Sequence, residues 1–262
     1  MIGLFLGEKD LPNEIIKKIE KKKIKYFIID LTKNNKFKKN KHSFFINIGK
    51  FGEILNLIKS QKCKKVIFAG NIVKPKISKL KLDLRGLFYI PRIIKASKKG
   101  DAAILKVLIK ILSENKIKVI KLNTFNPELT LKRGIYTKTR PTLFEKKEIV
   151  KGIKELKKIN SHNHTQAVII RDNKIISRET RKGTKVMIKS VTKSKIKGIL
   201  IKLPKAKQDL RVDLPTIGID TFKDCNKAGI KGVVVKSNKN IILNKEVCIK
   251  YANQNKLFLI AI

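Results

Sequence analysis

Short apolar runs alternate with longer segments of helical period along nearly the whole chain, and that alternation leaves few architectures open. Ile2–Leu6, Tyr26–Leu31, Lys65–Ala69 and Lys118–Leu122 have the apolar, β-rich character of strands. Between them, Asn13–Lys23 (entered through Pro12), Phe51–Ser60 and Ala102–Asn115 space their apolar residues as helices do. Strands separated by helices predict an α/β fold with a parallel sheet and helices on its faces. Ligands of such sheets bind beyond the carboxyl ends of the strands, where Gly3-x-x-x-Gly7 and Gly70-Asn71 fall. The glycine spacing is not GxGxxG, which argues against nicotinamide chemistry.

The pattern breaks over residues 123–142, where Asn-Thr-Phe-Asn-Pro, Arg-Gly and Arg-Pro-Thr read as a boundary. Two domains are expected, residues 1–130 and 131–262, the second also α/β. Its expected elements are helices at Glu145–Lys158, Val186–Thr192, Thr221–Ala228 and Glu246–Gln254, with strands at Gly198–Leu203, Val233–Lys236, Ile241–Leu243 and Leu257–Ile260. Ala167–Ile170 and Lys174–Ser177 flank Arg171-Asp172-Asn173 as a hairpin. The opening run, MIGLFLGEKDLP, is too short for a signal segment and reads as a first strand, which predicts a cytoplasmic protein. Scattered Cys63, Cys225 and Cys248 lack metal-ligand spacing and read as structural thiols of a reducing compartment. His162 and His164 flank Asn163 with no third ligand nearby, so they are not read as a metal site.

The net charge of +43 invites a nucleic-acid reading, but 55 of the 63 basic residues are lysine. Base recognition leans on arginine and on aromatic platforms, and neither is concentrated here. No specific nucleic-acid partner is expected. The charge favours anionic substrates and anionic membrane surfaces instead.

The densest charged motif is Gln208-Asp209-Leu210-Arg211-Val212-Asp213-Leu214-Pro215-Thr216-Ile217-Gly218. As a strand it would put Asp209, Arg211 and Asp213 on one face, neighbours about 7 Å apart. Such a row suits a metal ion bridged to phosphate oxygens, or a base beside a phosphate clamp. A solvated strand face with one surface ion pair is the competing account. Lys202 and Lys205 stand close by as phosphate ligands or as solvated lysines. Asp101, after Lys99-Gly100, is a helix N-cap or a ligand of substrate or metal. Gly70-Asn71 is a plain turn or a contact to a nucleotide or sugar, and Gly183-Thr184 a phosphate cradle or a helix cap.

With these residues in view, the chain resembles the UDP-2,3-diacylglucosamine pyrophosphatases of lipid A biosynthesis, the LpxI family. The resemblance is carried in collinear order by Ile2-Gly3-Leu4 through Gly7 with Leu11-Pro12, and by Phe68-Ala69-Gly70-Asn71 with Lys74-Pro75. It continues through Asp83-Leu84-Arg85-Gly86, Lys99-Gly100-Asp101, Glu128-Leu129-Thr130, Gln166-Ala167-Val168, and Glu179 with Gly183-Thr184, to the 208–218 motif. It implies a Rossmann-like N-terminal domain, a distinct C-terminal α/β domain carrying the catalytic carboxylate, and a lipid substrate held between them. It also implies Mg²⁺-dependent hydrolysis of UDP-2,3-diacylglucosamine to UMP and 2,3-diacylglucosamine 1-phosphate (lipid X), by water attack on the α-phosphorus. Asp213 is then the catalytic carboxylate, as metal ligand or water-activating base, with Asp209 as a second metal ligand and Arg211 a phosphate clamp or an orienting group. Substrate contacts fall to Gly7, Leu11, Gly70, Asn71, Asp101, Gln166, Glu179, Gly183, Thr184, Lys185, Lys202 and Lys205. A homodimer would be in keeping with the family, as would loose attachment to the cytoplasmic face of the inner membrane. Leu87-Phe88-Tyr89-Ile90 is either an acyl-chain slot or ordinary core packing.

The chain departs from the family pattern at Lys182 and Lys185, which replace a Glu and an Asp, and at Ala102 and Asn163, which replace two Asp. These lost negative charges leave an alternative reading, a weakened member that binds the UDP-sugar lipid without cleaving it efficiently.

Overall fold

The computed structural model describes residues 1–72, 80–162, 165–206 and 208–262, with backbone only over 160–162. Lys74-Pro75, Asn163 and the side chains of His162 and His164 therefore lie outside the described residues. The chain forms two compact units, Met1–Pro127 with Asp209–Val212, and Glu128–Gln208 with Asp213–Ile262.

The first unit contains β1 (Ile2–Leu6), α1 (Leu11–Lys21), β2 (Tyr26–Asp30), β3 (Ser43–Phe45), α2 (Phe51–Ser60), β4 (Lys65–Ala69), α3 (Leu84–Ser97), α4 (Asp101–Glu114) and β5 (Lys118–Val119). The strands form one sheet in the order 3-2-1-4-5, every pairing parallel. Every residue of β1 and β2 is buried, as continuous apolar runs should be in a parallel sheet covered on both faces. At the end of β2, the fully buried Asp30 accepts hydrogen bonds from Thr32 N and Oγ1 and from Phe37 N, so its carboxylate organises the loop to β3. Strand order reverses between β1 and β4, which makes the carboxyl ends of those two strands the ligand crevice of such a sheet.

Two elements of this unit escaped the sequence reading. β3 is a three-residue edge strand, too short to announce itself. α3 carries Pro91, which costs a helix one N–H, but the residue faces solvent. Asp83 starts this helix: one carboxylate oxygen accepts from Gly86 N at 2.7 Å and the other from Glu53 N at 3.0 Å. The predicted strand at Lys118–Leu122 is shorter than expected. It ends at Val119, and Leu122–Thr124 is a 3₁₀ turn.

The second unit contains β6 (Gly134–Ile135), α5 (Leu143–His162), β7 (Ala167–Arg171), β8 (Lys174–Arg178), α6 (Thr184–Lys189), β9 (Gly198–Lys202), β10 (Thr216–Ile217), α7 (Ile219–Lys227), β11 (Ile230–Val235), β12 (Ile241–Ile242), α8 (Lys245–Gln254) and β13 (Phe258–Ala261). Its main sheet runs β6-β13-β11-β9-β7-β8. β9, β11 and β13 are parallel, and β6, β7 and β8 pair antiparallel. The hairpin turn is Asp172-Asn173, both at positive φ as a two-residue turn of primed type requires. A reciprocal Thr142–Glu145 capping box starts α5 earlier than its apolar period implied. One cluster, including Leu200, Phe222, Val233 and Leu259, packs against α6, α7 and α8; a second, including Ile149, Leu156, Ile170 and Ile201, packs against α5.

All three cysteines are buried and unpaired. Burial pushes the Cys248 thiol up to about 12 and Cys225 higher still. The thiolate is the reactive form, and Cys63 is shielded by burial alone, so an aromatic disulfide reagent at neutral pH should label none of the three until the chain is unfolded. Rapid labelling of any of them in the native protein would contradict this packing. No helix among the described residues is long and apolar enough to cross a membrane.

Candidate functional site

At the crevice of the first unit, Gly7 closes β1 and Gly70-Asn71 closes β4. Glu8 N donates to Asn71 O at 2.8 Å and Asn71 N to Glu8 O at 3.1 Å, so a short antiparallel bridge joins the two strand ends. A Cβ on Gly7 would lie 2.5 Å from the Asn71 carbonyl oxygen, and Gly70 has φ +89°. Both glycines are thus accounted for by backbone approach, and they bring Asn71 to the switch point. Gly7→Ala should destabilise the protein by about 1–3 kcal/mol through overpacking, measurable as a lower urea midpoint; an unchanged midpoint would refute the tight bridge.

Leu11 opens α1 and is buried in the core, so packing already occupies it. Asp101 is not the N-cap of α4. Gly100 holds that position at φ +97°, and Asp101 is the first helical residue, exposed, its charge favoured by the helix dipole. The other predicted residues of this unit, Asp209 and Arg211, lie in the segment that folds with it.

The 208–214 segment is a turn, which corrects the expected strand and its shared charged face. Asp209 is the cause. Its carboxylate accepts from Arg211 N at 3.0 Å and from the Arg211 guanidinium at 3.0 and 2.7 Å, while Val212 N bonds back to Asp209 O. Such local side-chain bonds outcompete an extended backbone. The turn is tied into the first unit by Leu122 N donating to Arg211 O and by Val212, which packs on its core. The Arg211 hydrogen bonds hold the Asp209 carboxyl below its usual range, against the opposing effect of partial burial. Both Asp209 oxygens are committed, so it is a poor metal ligand unless that pair opens. Asp213 belongs to the second unit. It is half-buried, and no hydrogen bond or ion pair reaches its carboxylate among the described residues.

In the second unit four predicted residues converge. Lys202 ends β9, Glu179 follows β8, Thr184 begins α6 and Gln166 precedes β7. The Lys202 ammonium donates to Thr184 Oγ1, and the Thr184 hydroxyl donates to Glu179 Oε1. Glu179 Oε2 accepts from Gln166 N at 3.1 Å, and Lys202 Nζ stands 3.8 Å from Glu179 Oε1. The Lys202 and Glu179 side chains are only 5% and 7% exposed. The Gln166 side-chain carbonyl is buried without a partner among the described residues. Gly183, at φ +86°, is the N-cap of α6, which begins at Thr184 rather than Val186. The Thr184 hydroxyl serves the Lys202–Glu179 chain instead of capping the helix.

Asn240, missed in the sequence, belongs to the same region. It is buried, donates from Nδ2 to Lys202 O at 3.1 Å and accepts from Lys236 N at 2.9 Å, joining the carboxyl ends of β9 and β11. The only sequence cue was its turn-forming setting, Ser237-Asn238-Lys239-Asn240. Lys205 is half-buried in the turn that Gln208 closes, and Lys185 is exposed, as is Lys182. The arrangement is a buried, hydrogen-bonded cation at the carboxyl end of a parallel strand, suited to holding an anionic group. Among the described residues, no group of three or more His, Cys, Asp or Glu could cage a metal ion.

Comparison with known proteins covers both units. A family model described as the LpxI N-terminal domain matches residues 1–129, and one described as the LpxI C-terminal domain matches 132–260. The chain is 29% identical over 226 residues to the UDP-2,3-diacylglucosamine pyrophosphatase LpxI of Caulobacter vibrioides, spanning 83% of this chain and 81% of that protein.

Proposed function

This chain belongs to the LpxI family in both of its halves, and from that membership we propose that it hydrolyses the diphosphate of UDP-2,3-diacylglucosamine, the substrate in the name of its Caulobacter relative, and that it releases UMP and 2,3-diacylglucosamine 1-phosphate. The observation that carries the assignment of roles is the contrast between two carboxylates of one motif. Asp209 is neutralised by Arg211, whereas the Asp213 carboxylate has no partner among the described residues, in a chain with a surplus of 43 positive charges.

Magnesium usually takes one or two protein carboxylates and completes its shell with water and substrate phosphate oxygens. Asp213 fits that donor set without any protein cage, and Asp209 as paired does not. A magnesium ion held there would screen the charge of the diphosphate and stabilise the departing phosphate. The protein's own groups do the rest. Asp213 orients the attacking water or accepts its proton. Lys202, aligned by Thr184 and Glu179, supplies a fixed positive field for a phosphate oxygen. Lys205, half-buried in the same unit as Lys202, adds a second cation. Attack at the α-phosphorus makes UMP the product that carries the incoming oxygen. In H₂¹⁸O the label should therefore appear in UMP and not in the sugar phosphate; label in the sugar phosphate would overturn the direction of attack. The protein would act in the cytoplasm, loosely attached to the inner-membrane face where such a lipid resides.

Lys182 and Lys185, the acidic-to-basic departures, are both exposed. That placement favours retained turnover over the weakened-member reading, because neither adds its charge to the buried Lys202 group.

A further inference from the structure

Helix α3 presents an apolar face to solvent. Leu84, Leu87 and Phe88 are 86%, 56% and 73% exposed, and Pro91 is exposed with them. Their spacing of three, four and seven residues puts them on one side of the helix. This corrects the core-packing account of Leu87-Phe88-Tyr89-Ile90, in which only Tyr89 is buried. The opposite side anchors the helix. Gly86, Tyr89 and Ala96 are buried, Asn115 Nδ2 donates to Tyr89 Oη at 3.1 Å, and the Arg92 guanidinium forms a two-point ion pair with Glu114 of α4 at 2.7 and 2.8 Å. The outward face is therefore a fixed surface of a docked helix.

The charge around the stripe selects its partner. Lys81, Arg85, Lys95, Lys98 and Lys99 are exposed on and beside the helix, with Lys95 continuing the apolar face one turn further. The one acidic residue between Lys81 and Gly100 is Asp83, which is spent on capping. Two turns of apolar side chains bordered by long cationic ones form a surface that lies in an anionic lipid interface, the apolar groups entering the acyl boundary and the lysines reaching headgroup phosphates. A second copy of the chain is a poor occupant, because it would bring the same positive charge face to face.

We propose that the Leu84–Leu87–Phe88–Pro91 face of α3 is the surface by which this protein docks on an anionic phospholipid bilayer. The proposal deepens the reading that the substrate is a membrane lipid, but its test does not depend on hydrolysis. The chain has no tryptophan, so Phe88→Trp installs a unique reporter, with Val247→Trp, on an exposed position of α8, as its control. On adding phosphatidylglycerol/phosphatidylcholine vesicles, the Phe88→Trp emission should shift to the blue and be quenched by acyl-brominated lipid, while the control stays unquenched. Pure phosphatidylcholine should give little shift, and added salt should reverse the effect. In co-sedimentation, Leu87→Gln with Phe88→Gln should lower the vesicle partition coefficient about tenfold or more, with an unchanged far-ultraviolet spectrum and thermal midpoint. Vesicle binding untouched by the double substitution would overturn the proposal. So would a Phe88→Trp shift elicited by self-association, seen in sedimentation equilibrium, or by monomeric diacyl lipid in detergent but not by vesicles. Loss of UMP release with intact docking would count against the catalytic reading alone.

Discussion

Asp213→Asn lowers the rate of UMP release from UDP-2,3-diacylglucosamine by about a thousandfold while the folding midpoint stays where it was. The size follows from removing the group that orients or deprotonates the nucleophile, a role worth about 10²–10⁴ in rate. The unchanged stability follows from the structure. No hydrogen bond or ion pair reaches the Asp213 carboxylate among the described residues, so its replacement by an isosteric amide strands no partner and should alter stability by less than about 0.5 kcal/mol. The paired measurement is the test: turnover with purified protein and magnesium, and a urea melt of the same sample. A variant that keeps a tenth of the activity would remove Asp213 from the chemistry. A variant that loses activity and unfolds would show that the carboxylate is structural. Asp209→Asn is the contrasting case. It breaks the Arg211 pair and loosens the turn, and because Arg211 is 45% exposed, solvent screening limits the stability cost to about 1 kcal/mol or less.

Lys202→Met carries the largest stability effect expected in this protein, a loss of about 3–5 kcal/mol. Lys202 and Glu179 are both nearly inaccessible to water and are linked through the Thr184 hydroxyl. Deleting the cation alone leaves a carboxylate buried without its charge partner, and the desolvation that the pair had offset is then uncompensated. The double change Lys202→Met with Glu179→Met removes both charges and should recover a large part of the loss, whereas independent sites would add. Urea denaturation of the two single variants and the double variant gives the coupling directly. A Lys202→Met cost below about 1 kcal/mol, or strict additivity in the double variant, would mean that the buried chain is not the structural and electrostatic unit described here.

What was legible in the chain follows the range over which each interaction acts. β1, α2, β4 and β9 were evident because their apolar runs and periods are local, and burial on one or both faces rewards them in place. The 208–214 turn was misread because its apolar residues do alternate with period two. That alternation loses to a side-chain contest over two residues, Asp209 capturing the Arg211 N–H groups, and period alone does not register it. α3 was hidden by Pro91 and has no strong N-terminal signal beyond Asp83. Gln166 and Glu179 were named through family resemblance, Thr184 also as a candidate helix start, and Lys202 for its place beside the charged motif. That they share one hydrogen-bonded chain was not visible, because β8, α6 and β9 lie between them in sequence and only the sheet order brings their ends together.

The amino-acid order determined the alternation of strands and helices, the family, the glycines needed at close backbone approaches and the carboxylates available for chemistry, because each of these is written in local spacing and side-chain type. Tertiary structure alone decided which of those carboxylates is taken up by an arginine, which lysine is drawn out of water into a chain of hydrogen bonds, and which apolar helix face meets solvent instead of the core. Periodicity states which side chains share a face, and pairing depends on what arrives opposite that face. That second fact is set by strand order and helix docking, contacts made between residues tens of positions apart.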